Sequence, residues 1–176
     1  VIEFSPYKIL ENIVETYQVL GNAYLSGKEA TVSVEAKSLL KEWVEYEYDA
    51  LRFKVTFCSD GLPSDFNEIR QQIEAGELRV YDGGSGSVWC DHETNLKFRA
   101  VHDYHHALAS VDFTFKGEYD AYHFGSNRLH QWASDECLPE EWEREADRVL
   151  FSEIVLQAAA FFILGDFPET QKVVYL

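Results

Sequence analysis

The chain has 176 residues, of which 46% are hydrophobic and 15% aromatic; that is enough apolar surface for one domain with its own core and excludes a disordered chain. Its 31 acidic and 15 basic residues leave a formal net charge of −16. This sets the chain against direct binding of nucleic-acid phosphates and suits either plain solubility or an acidic face offered to a basic partner. The three cysteines, Cys58, Cys90 and Cys137, are odd in number and widely spaced, so no disulfide framework is expected and a reducing cytoplasm is the simpler compartment. Val1-Ile2-Glu3-Phe4 lacks the pattern of a secretory signal. The longest apolar stretch, Ile154 to Leu164, contains Gln157 and is too short for a bilayer, so no membrane association is expected.

Ser5-Pro6 reads as a helix start, a capping residue followed by proline at the first helical position. Ile9, Leu10, Ile13, Val14, Tyr17 and Leu20 continue it at helical spacing to Gly21 or Gly27. A second helix is predicted from Ser33 to about Phe53, with Leu39, Leu40, Trp43, Tyr46 or Glu47, and Ala50 inward. Lys54–Phe57 and Leu78–Tyr81 are short β-type runs expected to pair. Between them Ser64 caps a short helix carrying Phe66, Ile69 and Ile73, closed by Gly76.

Residues 82–87, Asp-Gly-Gly-Ser-Gly-Ser, read as a plain loop; they lack the Gly-Lys-Ser/Thr ending of a phosphate-binding loop. They divide a front half, 1–81, from a helical back half, 88–176, within one domain. Three helices are predicted there: Glu93 to Ala109, Lys116 to Trp132, and Pro139 to Leu164, the last stopped by Gly165-Asp166-Phe167-Pro168. The fold class is therefore mostly α with a small two-stranded β element, a helical bundle of the α+β kind.

The densest chemistry lies in Phe98-Arg99-Ala100-Val101-His102-Asp103-Tyr104-His105-His106. Four residues apart on a helix, His102 and His106 share one face, the spacing at which two imidazoles reach one metal ion. Asp103 is placed to ligate with them or to orient an imidazole. Glu153 and Gln157 interrupt the apolar face of the last helix and need polar partners there. Glu118, in the first turn of its helix, completes a carboxylate–imidazole set of the type that holds zinc, manganese or iron in helical bundles. His123 and His130 share a second face, and Cys90-Asp91-His92 lacks the partner pair a zinc site needs. The His102-Asp103 doublet invites comparison with HD phosphohydrolases. His92 lies too near to be their upstream histidine, although Asp112, Asp120 or Asp147 is available as a last ligand.

The order Phe98-Arg99-Ala100-Val101-His102-Asp103, then His105 or His106, then Gly117-Glu118, then Glu153 with Gln157, resembles a domain of phage-encoded proteins, over about Leu78 to Gln157. In that pattern the second histidine often stands one residue further on, after a small residue; here His105 and His106 are adjacent and compete for the place. The resemblance implies phage origin and a shared polar centre, and it brings no settled reaction.

Two readings of function follow. In the first, the chain is a phage-encoded metal-dependent hydrolase of a small or phosphate-bearing substrate, or a peptide, in the host cytoplasm. His102, Asp103 and His106 hold a divalent ion, Glu118 or Glu153 is the general base, and Gln157 and Arg99 position or neutralise the substrate. In the second, it is an acidic interaction protein that inhibits a host nucleic-acid enzyme. Its acidic runs, Asp135-Glu136 and Glu140-Glu141-Trp142-Glu143, then make the contact, and the histidine cluster is a structural polar core. An enzyme needs a cavity that reaches the cluster; an inhibitor needs the cluster sealed.

Overall fold

The computed structural model describes residues 13–84 and 87–176. The expected start at Ser5-Pro6, with Ile9 and Leu10, lies outside the described residues. Seven α-helices and two strands are described: α1 Ile13–Ser26, α2 Val34–Asp49, β1 Lys54–Cys58, α3 Phe66–Glu74, β2 Glu77–Tyr81, α4 His92–Ala109, α5 Phe115–Asp135, α6 Glu140–Phe151 and α7 Gln157–Leu164. A π-helical turn, Ser152–Leu156, joins α6 to α7 without a break. The architecture is mostly α with one small β element, as the periodicity predicts.

Helix α1 runs straight through Gly21, because that residue is where α1 meets α7. A Cβ there would stand 2.7 Å from the carbonyl oxygen of Ala159. Ser33 caps α2 by accepting from the Ala36 amide, and its own amide and hydroxyl donate to Glu145 of α6. Helix α2 stops at Asp49, short of Phe53. Phe53 leaves the helical path and packs edge-on against Tyr104 of α4, ring centroids 5.3 Å apart. Of its expected inner face, Leu39, Leu40, Trp43 and Glu47 are buried, whereas Tyr46 and Ala50 are exposed.

The two strands pair in parallel, Lys54 opposite Glu77 through Cys58 opposite Tyr81. A parallel pair needs a crossover, and α3 supplies it. Asp65 rather than Ser64 caps α3, accepting from the amides of Asn67 and Glu68; Ser64 instead donates to Glu68. In the back half the caps fall where the polar residues precede each helix: Asp91 for α4, Thr114 for α5, and Gly165 in the left-handed conformation (φ 75°) at the end of α7.

The main core lies among α1, α2, α5, α6 and α7, around Leu20, Tyr24, Trp43, Leu129, Leu150 and Leu156. A smaller core of Ile69, Leu78, Val80, Ala100 and Ala107 joins the sheet and α3 to α4. Helix α4 thus packs on α2 and α5 on one side and on α3 and β2 on the other, which fixes its rotation. The three cysteines are free thiols, and no helix among the described residues is long and apolar enough to cross a membrane.

Candidate active site

The rotation of α4 brings His102 and His106 against the first turn of α5. Residue 117 is glycine because the connection from α4 folds back onto this turn: a Cβ there would lie 1.8 Å from the carbonyl oxygen of Asp112. Ser110, left-handed at φ 60°, turns the chain out of α4, and Thr114 caps α5 by accepting from the Gly117 amide. Glu118 is thereby set beside both imidazoles. Its Oε2 is 2.9 Å from His102 Nε2 and 3.4 Å from His106 Nε2, and the two nitrogens are 3.1 Å apart. Ligating atoms of these three residues all lie within 4.8 Å of one another, the single such group among the described residues.

Three lone-pair atoms converging in this way form a group that can hold a metal ion. Edges of 2.9, 3.1 and 3.4 Å define a circle of radius about 1.8 Å. That spacing would suit an ion ligated at the roughly 2.0–2.1 Å usual for zinc with imidazole or carboxylate, with His102, His106 and Glu118 as the residues that would hold it. His106 Nδ1 donates to the Val111 carbonyl at 3.2 Å, which fixes the tautomer whose Nε2 is free to ligate. His102 Nδ1 is buried and has no hydrogen-bond partner.

The electrostatics follow. Burial works to raise the Glu118 pKa, but the two imidazoles overcome it and hold the carboxyl down at about 2. His106 is pushed the other way: desolvation opposes protonation, and the Glu118 carboxylate outweighs it, so its pKa is raised. Phe98 stacks on His102 with ring centroids 6.2 Å apart, and Phe113 packs against His106 at 4.7 Å, giving the pair apolar walls.

The group forms part of the wall of a cavity of about 750 Å³, to which His102 and Glu118 are exposed and behind which His106 is fully buried. Arg99, Asp103, Glu153 and Gln157 line the same cavity. Arg99, His102, Asp103, Glu118, Glu153 and Gln157 thus line one cavity, with His106 directly behind its wall. Asp103 lines the cavity outside the three-atom group, and burial pushes its carboxyl up to about 6 against the pull of the two imidazoles. Glu153, 9% exposed, accepts from the Ser87 hydroxyl at 3.2 Å through Oε2, while Oε1 has no partner. Burial pushes Glu153 up to about 7, moderated by Ser87, Trp89 and Arg99. The amide nitrogen of Gln157 is likewise buried, and its side chain stands beside the Tyr24 hydroxyl. Arg99 is tethered at Nη1 to the carbonyl oxygens of Tyr81 (3.1 Å) and Gly83 (2.5 Å), with no carboxylate paired to it among the described residues. Glu153 lies in the π-helical turn, a wider ring than α-helix that occurs often at functional sites.

The chain matches no protein-family model, no curated protein and no solved structure.

The other histidines go elsewhere. His105 turns away from the centre toward α2, 3.4 Å from Glu47, which also takes the Arg128 Nε at 2.9 Å. This places His106, not His105, at the centre with His102. His92 is exposed at the start of α4, and His123 packs against Tyr119 and Tyr122. His130 pairs with Glu143. Asp120 pairs with Lys116, and Asp147 takes the hydroxyls of Tyr122 and Ser126, so neither joins the centre. Sequence reasoning did not single out the aromatic end of the cavity, where Phe161, Phe162 and Phe167 stand. The run Phe161-Phe162 and the Phe167-Pro168 that follows the helix were visible, but they read as core and stop signal.

Proposed function

We propose that the chain is a metal-dependent hydrolase of a small, phosphate-bearing substrate. What supports this is the convergence of His102, His106 and Glu118 on the wall of an open cavity that also holds an unpaired arginine and a carboxyl of raised pKa. Three protein ligands with open positions toward a cavity are the arrangement of a catalytic rather than a structural ion. A divalent ion held there supplies Lewis acidity toward water and toward a substrate oxygen.

The chain's own residues do the rest. Glu153, whose pKa of about 7 matches the working range of a general base, takes the proton from the attacking water and returns it to the leaving group. Arg99 neutralises the substrate anion, and Gln157 donates to it from the last helix. Glu118, which the sequence offers both to the carboxylate–imidazole set and as one of two bases, acts as a ligand, since its proton affinity is far too low to hold a proton near neutrality. Asp103 orients the centre from beside it. An open cavity favours this reading over that of an interaction protein with a sealed polar core. The resemblance to phage-encoded domains puts the reaction in an infected host cell.

Elemental analysis of tag-free protein tests the reading, with His102→Ala and Glu118→Ala alongside. One equivalent of zinc, manganese or iron is expected in the wild type and none in either variant, while Glu153→Gln keeps the ion and loses hydrolysis. A wild type that stays metal-free after incubation with each ion in turn ends the hydrolase reading.

A further inference from the structure

Two unlike groups of side chains line the cavity. Arg99 carries a positive charge that forms no salt bridge among the described residues, its Nη1 held by the carbonyl oxygens of Tyr81 and Gly83. A guanidinium without a carboxylate partner is completed by an acceptor-only oxyanion. Phe161, Phe162 and Phe167 line the same cavity, with Phe161 and Phe167 ring centroids 4.9 Å apart. Phe162 and Phe167 are 40% and 59% exposed, an apolar surface beside a polar centre. Asp166 and Glu169 also line it, and neither forms a salt bridge among the described residues.

We propose that the substrate is an amphiphile: one compact, singly or doubly charged oxyacid group bound by Arg99 in the cavity that His102 and Glu118 line, joined to a flat apolar body that packs on Phe162 and Phe167. This rests on the hydrolase reading for its chemistry and on the cavity alone for its binding. The acidic lining and the net charge of −16 disfavour a polyanion such as a nucleoside polyphosphate, whose extra charges would have to lie among Asp166, Glu169 and Asp103. A flat ring gains contact that a methyl group cannot, because it offers a π-face to the phenylalanines as well as area.

Calorimetric titration with non-hydrolysable probes tests this. Phenylphosphonate is expected to bind roughly tenfold or more tightly than methylphosphonate, and ADP more weakly than phenylphosphonate. The double variant Phe162→Ala/Phe167→Ala brings the two phosphonates within about twofold of each other, and its far-ultraviolet circular dichroism stays that of the wild type because both rings are at the surface. Arg99→Ala weakens both phosphonates and leaves their ratio unchanged. Phenylacetate binding as well as phenylphosphonate assigns the oxyacid as a carboxylate; binding far more weakly assigns it as a phosphate. Equal affinity for the two phosphonates, binding of neither, or a ratio untouched in the double variant overturns the proposal. Repeating the series with chelator separates the two readings: a metal-free protein that keeps the phenyl preference loses the hydrolase reading and retains the subsite.

Discussion

Glu153 is a carboxyl held at a cost, and Glu153→Gln makes that cost measurable. In the unfolded chain a glutamate gives up its proton near 4.5; in the folded protein burial delays this to about 7. Between those values the folded state holds a proton that the unfolded state has lost, so stability falls as pH rises through the window. At about 1.4 kcal/mol per pH unit, the full difference comes to about 3 kcal/mol above pH 7. Glutamine has nearly the shape of the protonated acid and does not ionise. The variant should therefore match the wild type at pH 4 and exceed it by about 3 kcal/mol at pH 8, or roughly 5–10 °C in melting temperature for a chain of this size. Urea unfolding followed by tryptophan fluorescence at pH 4, 6 and 8, with chelator present, reads this directly. Because the comparison is made at matched pH, every other titrating group cancels. Equal stability at pH 8, or a less stable variant, would refute the reasoning, since the carboxylate would then have a partner that lowers its energy. A variant both more stable and inactive is the signature of a group retained for chemistry.

The remaining predictions concern what holds the centre together. Gly117→Ala puts a methyl group where the Asp112 carbonyl stands, so a loss of about 1–3 kcal/mol is expected, together with weakened metal binding as Glu118 is displaced; an unchanged melting curve counts against the close approach. Glu47→Ala leaves His105 buried beside the half-exposed Arg128 without their shared carboxylate, and should cost about 2–4 kcal/mol in urea unfolding, whereas Glu47→Gln costs less. Zinc at a hundredfold excess over its dissociation constant should stabilise the wild type by about 2.7 kcal/mol, and His106→Ala should abolish that increment; an equal increment in the variant places the ion elsewhere.

Much of the fold was legible because it is local. Gly165 marks a helix end by chemistry that acts within a few residues, and the spacing of His102 and His106 is a property of a single helix. What lay beyond reach depended on contacts distant in sequence. Gly21 and Gly27 are both helix stops on paper; the backbone of Ala159 meets Gly21, and the helix continues to Ser26 before Gly27. The parallel sense of the β pair is set by α3 as a crossover, and neither strand's sequence records it. Glu118 was visible as a candidate, yet that it rather than Asp103 stands with the two imidazoles follows from how α5 packs against α4. His105 and His106 are equivalent on paper; one faces Glu47 and the other Glu118 only once α4 is wedged between two cores.

The π-helical turn has a consequence for descent. A helix that closes one ring with i→i+5 bonds holds one residue more than the same length of α-helix requires, and its flanks keep their angular phase on either side. Removing one residue from Ser152–Leu156 should therefore leave α6 seated against α2 and α5, and α7 against α1, as a single regular helix. What changes is the swelling that carries Glu153. The scaffold and the carboxyl in the cavity can thus be separated by a single codon, and a chain without that codon would keep this fold while lacking this chemistry.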